Sequence, residues 1–198
     1  LELRKRLQAA EEEQREQTKK RNKLLYQSEH DELTGLYNKR SLNRYLEDVF
    51  EACKLNEKEL GILFLDIDYF KQLNDRYGHG KGDEGICAVA DTLKKIFPED
   101  YVARYGGDEF LVVMTGRDLT YVMEHAESLC AGIREYKIPN EDSELEPWLT
   151  ISVGGVCAIP REPNRVWDFL SAADNTLYEQ KKEQKGKVRF YQGEGKYL

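Results

Sequence analysis

No apolar run in this 198-residue sequence approaches the roughly 20 residues that cross a bilayer. A secretory leader is missing too, because the start, Leu1-Glu2-Leu3-Arg4-Lys5-Arg6, is charged and not apolar. There is no initiator Met, which reads as a fragment of a longer protein. Basic charge is short: 30 Lys and Arg against 37 Asp and Glu leave a net charge of −7. That balance argues against broad nucleic-acid binding, which needs a cationic surface. It leaves a small anionic ligand open, since bound divalent cations can supply positive charge locally. The four cysteines, Cys53, Cys87, Cys130 and Cys157, are far apart and form no CxxC pair. They read as buried reduced thiols of a cytoplasmic protein.

Residues 1–29 hold no Gly and no Pro and are dense in Glu, Gln, Lys and Arg. The composition predicts one exposed helix. A heptad frame runs through Leu3, Leu7, Ala10, Gln14, Gln17, Arg21, Leu24 and Ser28, apolar at its ends and polar in its middle. Two readings stand: a solvated linker helix, or a coupling helix that aligns two copies of the following domain. The globular domain is expected over 30–198. A turn at 31–38 leads to a helix from about Lys39 to Lys54. Gly61–Asp68 reads as a buried strand ending in acids. A short helix follows over 70–76, then a Gly-rich loop, Gly78-His79-Gly80-Lys81-Gly82, then a helix from Asp83 to Ile96 that stops at Pro98. Thr120 is expected to cap a helix running to Tyr136. Residues 139–147 read as a loop, 149–158 as a strand, 167–183 as a helix and 188–191 as a last short strand. Helices interleaved with hairpin-linked strands predict an α/β layer fold, with a mixed or antiparallel sheet.

The stretch Arg104-Tyr105-Gly106-Gly107-Asp108-Glu109-Phe110 lies between two apolar runs. It reads as a β-hairpin with carboxylates at its tip. Asp66 and Asp68 end the earlier strand and share a face at two-residue spacing. Alone, they are either a strand end meeting solvent or a Mg²⁺ site of hard oxygen ligands. With Asp108 and Glu109 they would form a two-metal platform for phosphoryl or nucleotidyl transfer. Lys71 is either a phosphate contact or a solvated lysine. Asn74 and Asp83 flank the Gly-rich segment. They are either helix caps or a pair able to read guanine by amide and carboxylate. His79, between two glycines, reads as structural.

Five ordered segments resemble the catalytic domain of the GGDEF-family diguanylate cyclases. They are Asp31-Glu-Leu-Thr-Gly-Leu-Tyr-Asn-Lys-Arg40; Leu65–Asp75 continuing to Gly78-His79 and Gly82-Asp83; Gly106–Phe110; Thr150–Gly154; and Ala173-Asp174 with Leu177-Tyr178. The resemblance covers about residues 30–191. It implies a fold similar to class III nucleotide cyclases and polymerase palm domains. It also implies condensation of two GTP into cyclic di-GMP with loss of pyrophosphate. By position, Asp66, the carbonyl of Ile67, Asp108 and Glu109 match the metal ligands, for two Mg²⁺ or Mn²⁺ ions per site. Asp108 and Glu109 match the catalytic acids, and Asn74 and Asp83 the guanine-reading pair. Lys71 and Lys181 match phosphate-contacting lysines, while Gly106 and Gly107 admit the nucleotide to the backbone. The implied partners are GTP and a second copy of the chain facing it antiparallel, joined in part by the first helix, with no nucleic acid. A sensor domain upstream is implied in the parent protein, in the cytoplasm or as the cytoplasmic part of a membrane-anchored receptor. The alternative is a catalytically weak GTP-binding regulatory domain.

Two departures from the family pattern stand out. An Arg-x-x-Asp inhibitory motif would put its Asp at Asp100 and its Arg at 97, where this chain has Phe97. Loss of product inhibition through that site is expected. Lys185 stands where an arginine is usual, keeping the charge and losing the planar fork.

Overall fold

The computed structural model describes residues 2–192. A 28-residue helix, α1 (Glu2–Glu29), precedes the domain. The domain then runs β1 (Tyr37–Asn38), α2 (Lys39–Leu55), β2 (Leu60–Ile67), α3 (Phe70–Tyr77), α4 (His79–Ile96), β3 (Tyr101–Arg104) and β4 (Glu109–Thr115). It closes with α5 (Leu119–Glu135), β5 (Ile151–Ala158), α6 (Val166–Glu183) and β6 (Val188–Phe190). The six strands form one sheet in the order β1-β3-β4-β2-β5-β6. β2 is antiparallel to both β4 and β5, and β3 is antiparallel to β4, while β1 pairs parallel to β3 and β6 parallel to β5. The expected mixed, mostly antiparallel α/β architecture is therefore present.

β2 is an unbroken apolar run because both of its faces are covered. Leu63, Leu65 and Ile67 join the core under α4 and α5. Leu60, Ile62 and Phe64 join the core under α2 and α6. Two-residue alternation then puts Asp66 on the α2/α6 face at the open end of the strand. β5 lies so close to α6 that a Cβ on Gly154 would overlap the backbone of Ala173 and Leu177.

Three local expectations change. The segment Gly78–Gly82 is not a loop. Gly78 alone turns the chain, at φ 83°, a conformation that costs glycine little. His79 opens α4, with Gly80 and Gly82 inside the helix. Asp83 is thus a fifth helical residue and not a cap. α5 is capped by Asp118, whose carboxylate accepts from the Tyr121 amide at 2.8 Å, and not by Thr120. Cys53 and Cys130 are buried as expected, but Cys87 and Cys157 are partly exposed.

On α1 the side chains at Gln14, Gln17, Arg21, Leu24 and Ser28 are all exposed. Leu3, Leu7 and Ala10 of the heptad frame have side chains outside the described residues. The helix end is fastened to the domain. Asn38 Nδ2 donates to Ser28 O at 2.9 Å, and Ser41 Oγ to Glu29 O at 2.9 Å. Beside these bonds, rings stack in series: Tyr26, His30, Tyr37, Tyr101 and Tyr45, with centroids 3.9–4.5 Å apart. Tyr101 opens β3, so the stack joins α1 to the strand that leads to the hairpin tip. No helix among the described residues is long and apolar enough to cross a membrane.

Candidate active site

The acids converge because of register. Asp66 pairs directly with Glu109 across β2 and β4, so the two side chains share one face at the strand ends. Asp108 precedes Glu109 at the hairpin tip, where its carbonyl accepts from the Ile67 amide at 3.2 Å. Lys181, from the last turns of α6, reaches Asp66 Oδ1 at 2.6 Å. Burial pushes the Asp66 carboxyl up to about 6, against the pull of Lys181 and with the push of Asp108 and Asp68. Glu109 is raised by burial and by the Asp108 and Asp174 carboxylates, with Lys39 and Lys181 opposing. An anion-rich pocket with one lysine in contact disfavours its own charges and favours a cation. No three acid, His or Cys side chains among the described residues are gathered tightly enough to hold a metal ion as they stand.

Asp68 does different work. It is 1% exposed and accepts from Thr150 Oγ1 at 2.9 Å and Ser152 Oγ at 2.7 Å. A buried carboxylate needs such partners. The two hydroxyls come from successive same-face positions leading into β5, which explains the Thr-x-Ser spacing in the sequence.

The tip is held by a residue that motif reading passes over. Arg104 Nη1 contacts both Asp31 oxygens at 3.2 Å, while Nε and Nη2 donate to the Gly106 and Gly107 carbonyls at 2.7–3.2 Å. Asp31 in turn accepts from the Thr34 amide at 2.9 Å and the Thr34 hydroxyl at 2.7 Å. These bonds hold its carboxyl below the usual range although burial opposes them. The signal available in sequence is Asp31-x-x-Thr34, a local capping pattern, and an arginine directly before the tip. Arg104→Met should keep the fold and free the tip. We expect a loss of turnover of about tenfold or more, with tip amides exchanging faster by hydrogen–deuterium exchange. Unchanged turnover would remove Arg104 from the account.

Gly106 and Gly107 differ. A Cβ at Gly106 would sit 2.7 Å from Glu109 Oε2, so this glycine makes room for the Glu109 carboxylate. A Cβ at Gly107 would meet nothing within 4 Å. Asn74 lies on α3 against Gly82 of α4, where any Cβ would overlap its Oδ1. That Oδ1 is buried with no hydrogen-bond partner, a costly state unless a ligand completes it. Asp83 is exposed one residue beyond Gly82. Lys71 is exposed in the first turn of α3 and makes no ion pair among the described residues. Lys185 follows α6 and lies with its Nζ 3.9 Å from the centre of the Tyr69 ring. Phe97 is fully buried in the core under α4 and α5. Asp100 keeps one buried, unpartnered carboxylate oxygen.

Paired acids at neighbouring strand ends, with a lysine in contact, mark an α/β domain whose acidic tip suits a cation. Residues 28–187 match the family described as diguanylate cyclase, GGDEF domain, and the chain belongs to that family. The probable diguanylate cyclase DgcC of Escherichia coli K12 is 31% identical over 164 residues, which are 82% of this chain and 43% of that protein. Diguanylate cyclase DgcM of the same strain is 32% identical over 175 residues, 87% of this chain and 41% of that protein. The chain thus spans less than half the length of these relatives. Among solved structures, the coiled coil and GGDEF domain of DgcB from Caulobacter crescentus, in complex with c-di-GMP, superposes with a TM-score of 0.84. It covers 96% of this chain and 100% of that one at 23% identity, a likeness of fold. Diguanylate cyclase SiaD from Pseudomonas aeruginosa, with its activator SiaC, gives a TM-score of 0.72 at 27% identity, covering 96% of this chain and 73% of that one.

Proposed function

We propose that the chain is a diguanylate cyclase catalytic domain that condenses two GTP into cyclic di-GMP and releases pyrophosphate. The observation that carries this reading is the Asp66–Glu109 pair across β2 and β4, with Asp108 beside it and Lys181 on Asp66. The donor set suits Mg²⁺ or Mn²⁺: hard carboxylate oxygens, in excess over the one lysine in contact. Asp66, the Ile67 carbonyl, Asp108 and Glu109 would hold two ions per site. When bound, they supply Lewis-acid activation of a ribose 3′-hydroxyl and neutralise phosphate charge.

The chain's own groups do the rest. The unpartnered Asn74 amide oxygen and the exposed Asp83 read guanine: the amide meets its polar edge and the carboxylate accepts from N1–H and the 2-amino group. Adenine, with an acceptor at N1, is rejected. Lys71, Lys181 and Lys185 hold the triphosphate, and Lys181 exchanges Asp66 for phosphate oxygen. Asp108 takes the 3′-hydroxyl proton as that oxygen attacks the partner's α-phosphorus. Each domain carries one GTP, so two copies face each other antiparallel. The helix over 1–29 sets how often the copies of the 30–198 domain meet, under an upstream sensor in the cytoplasm or at its membrane face.

Product restraint through the Asp100 position is absent, since Phe97 is a core residue with no charge to offer. Micromolar cyclic di-GMP should leave initial rates unchanged in wild type and in Asp100→Ala alike. Half-inhibition at micromolar product that Asp100→Ala removes would contradict this. For the reaction itself, GTP with Mg²⁺ should give cyclic di-GMP and pyrophosphate, and ATP neither. GTP binding without product would favour a regulatory GTP-binding domain.

A further inference from the structure

Tyr69 joins β2 to α3 in the left-handed conformation, φ 54° and ψ 33°, which a bulky residue rarely adopts and which gathers at functional sites. Its surroundings enforce the turn. The fully buried Asn140 directs its Nδ2 at the carbonyls of Asp68 and Tyr69, at 3.4 and 3.5 Å. The Leu73 amide also donates to Tyr69 O at 3.0 Å. Outward, the phenol donates to Glu144 Oε2 at 3.3 Å, and the ring face carries the Lys185 ammonium at 3.9 Å. The turn bearing Lys185 is pinned on both sides. Gly186 N donates to Ser152 Oγ at 3.0 Å, and Arg134 Nη2 donates to Gly186 O at 2.7 Å. Ser152 Oγ in turn donates to Asp68, next to Tyr69.

The two lysines beside the acids therefore rest differently. Lys181 is neutralised by a carboxylate. Lys185 lies on a π face, which orients an ammonium without cancelling its charge and leaves N–H groups free to donate. We propose that Tyr69 is a positioning residue that presents the Lys185 ammonium to the nucleotide's phosphates. This rests on the reading of the site as a GTP site.

The test is equilibrium titration of GTP and of guanosine with Mg²⁺ present, alongside assay of product. Tyr69→Asn keeps a side chain that tolerates the left-handed turn and removes the ring; Tyr69→Phe keeps the ring. Tyr69→Asn should weaken GTP binding roughly three- to fivefold, the size of an exposed cation–π contact, and leave guanosine binding unchanged. Tyr69→Phe should stay near wild type. The double variant Tyr69→Asn/Lys185→Ala should bind GTP no more weakly than Lys185→Ala alone. Additive losses, parallel weakening of guanosine, or wild-type GTP affinity in Tyr69→Asn would each overturn the assignment. If the expected shifts appear and no cyclic di-GMP forms, the cyclase reading falls and the Tyr69 assignment stands. If product forms without those shifts, the cyclase reading stands and the Tyr69 assignment falls. Absence of GTP binding by wild type overturns both.

Discussion

Asp66→Asn is expected to abolish cyclic di-GMP formation, by about a thousandfold or more, while the protein stays folded. The size follows from removing a preorganised charge at the proposed reacting centre, where a single neutral donor is already worth about 10²–10³ in rate. The fold should survive because the Asp66 anion is not what holds β2. Burial raises its carboxyl to about 6, so an amide of the same shape relieves a desolvated charge. The strand is held by its pairing with β4 and β5 on either side. Lys181 loses one contact at a partly exposed position. Melting temperature without metal should therefore match or exceed wild type, and stabilisation by Mg²⁺ should vanish. Glu109→Gln should behave alike, since the two acids oppose each other on one face. Turnover within tenfold of wild type in a folded Asp66→Asn protein would remove Asp66 from the chemistry.

Gly154→Ala is the second large effect, on the fold and not on the chemistry. The added Cβ would lie 2.7 Å from Leu177 Cα and overlap two backbone atoms of α6. A flexible neighbour could turn aside, but helix backbone cannot without moving the whole of α6. That helix buries Phe169, Leu170, Ala173 and Leu177 against the sheet and carries Lys181 to Asp66. Overpacking of this kind costs about 3 kcal/mol, which is roughly 6–12 °C in melting temperature for a domain of this size. Gly107→Ala is the control. With nothing within 4 Å of its Cβ, it should leave the melting temperature unchanged and lower GTP affinity. Equal melting temperatures for Gly154→Ala and wild type would mean that β5 and α6 are farther apart than described.

The same two positions show what can be read from the sequence. Asp66 is legible because an apolar run ending in acids, with a second acidic pair at a hairpin tip, is hard to account for as solvated strand ends alone. The hairpin is legible from its glycines and flanking apolar runs. Gly154 is legible only as part of a resemblance. Its reason, a helix backbone lying against a strand, is a long-range contact that local pattern does not encode. The Gly78–Gly82 segment misleads because glycines signal a turn. Tertiary packing overrides that signal, with Gly82 making room for Asn74 inside a helix. Asp83 changes with it, from an expected cap to the fifth residue of α4. Arg104 looks like a flanking charge because its partner, Asp31, lies 73 residues away in sequence. Tyr69 is invisible as a special position, since nothing local announces a left-handed tyrosine.

The central claim is that two copies of this domain, each holding GTP, join their nucleotides. The direct measurement is the initial rate of cyclic di-GMP formation from saturating GTP and Mg²⁺ across a dilution series of the chain. The account predicts cyclic di-GMP as the product, at a rate rising with the square of protein concentration in the dilute range. GTP bound by the folded chain with no cyclic di-GMP at any protein concentration would contradict it.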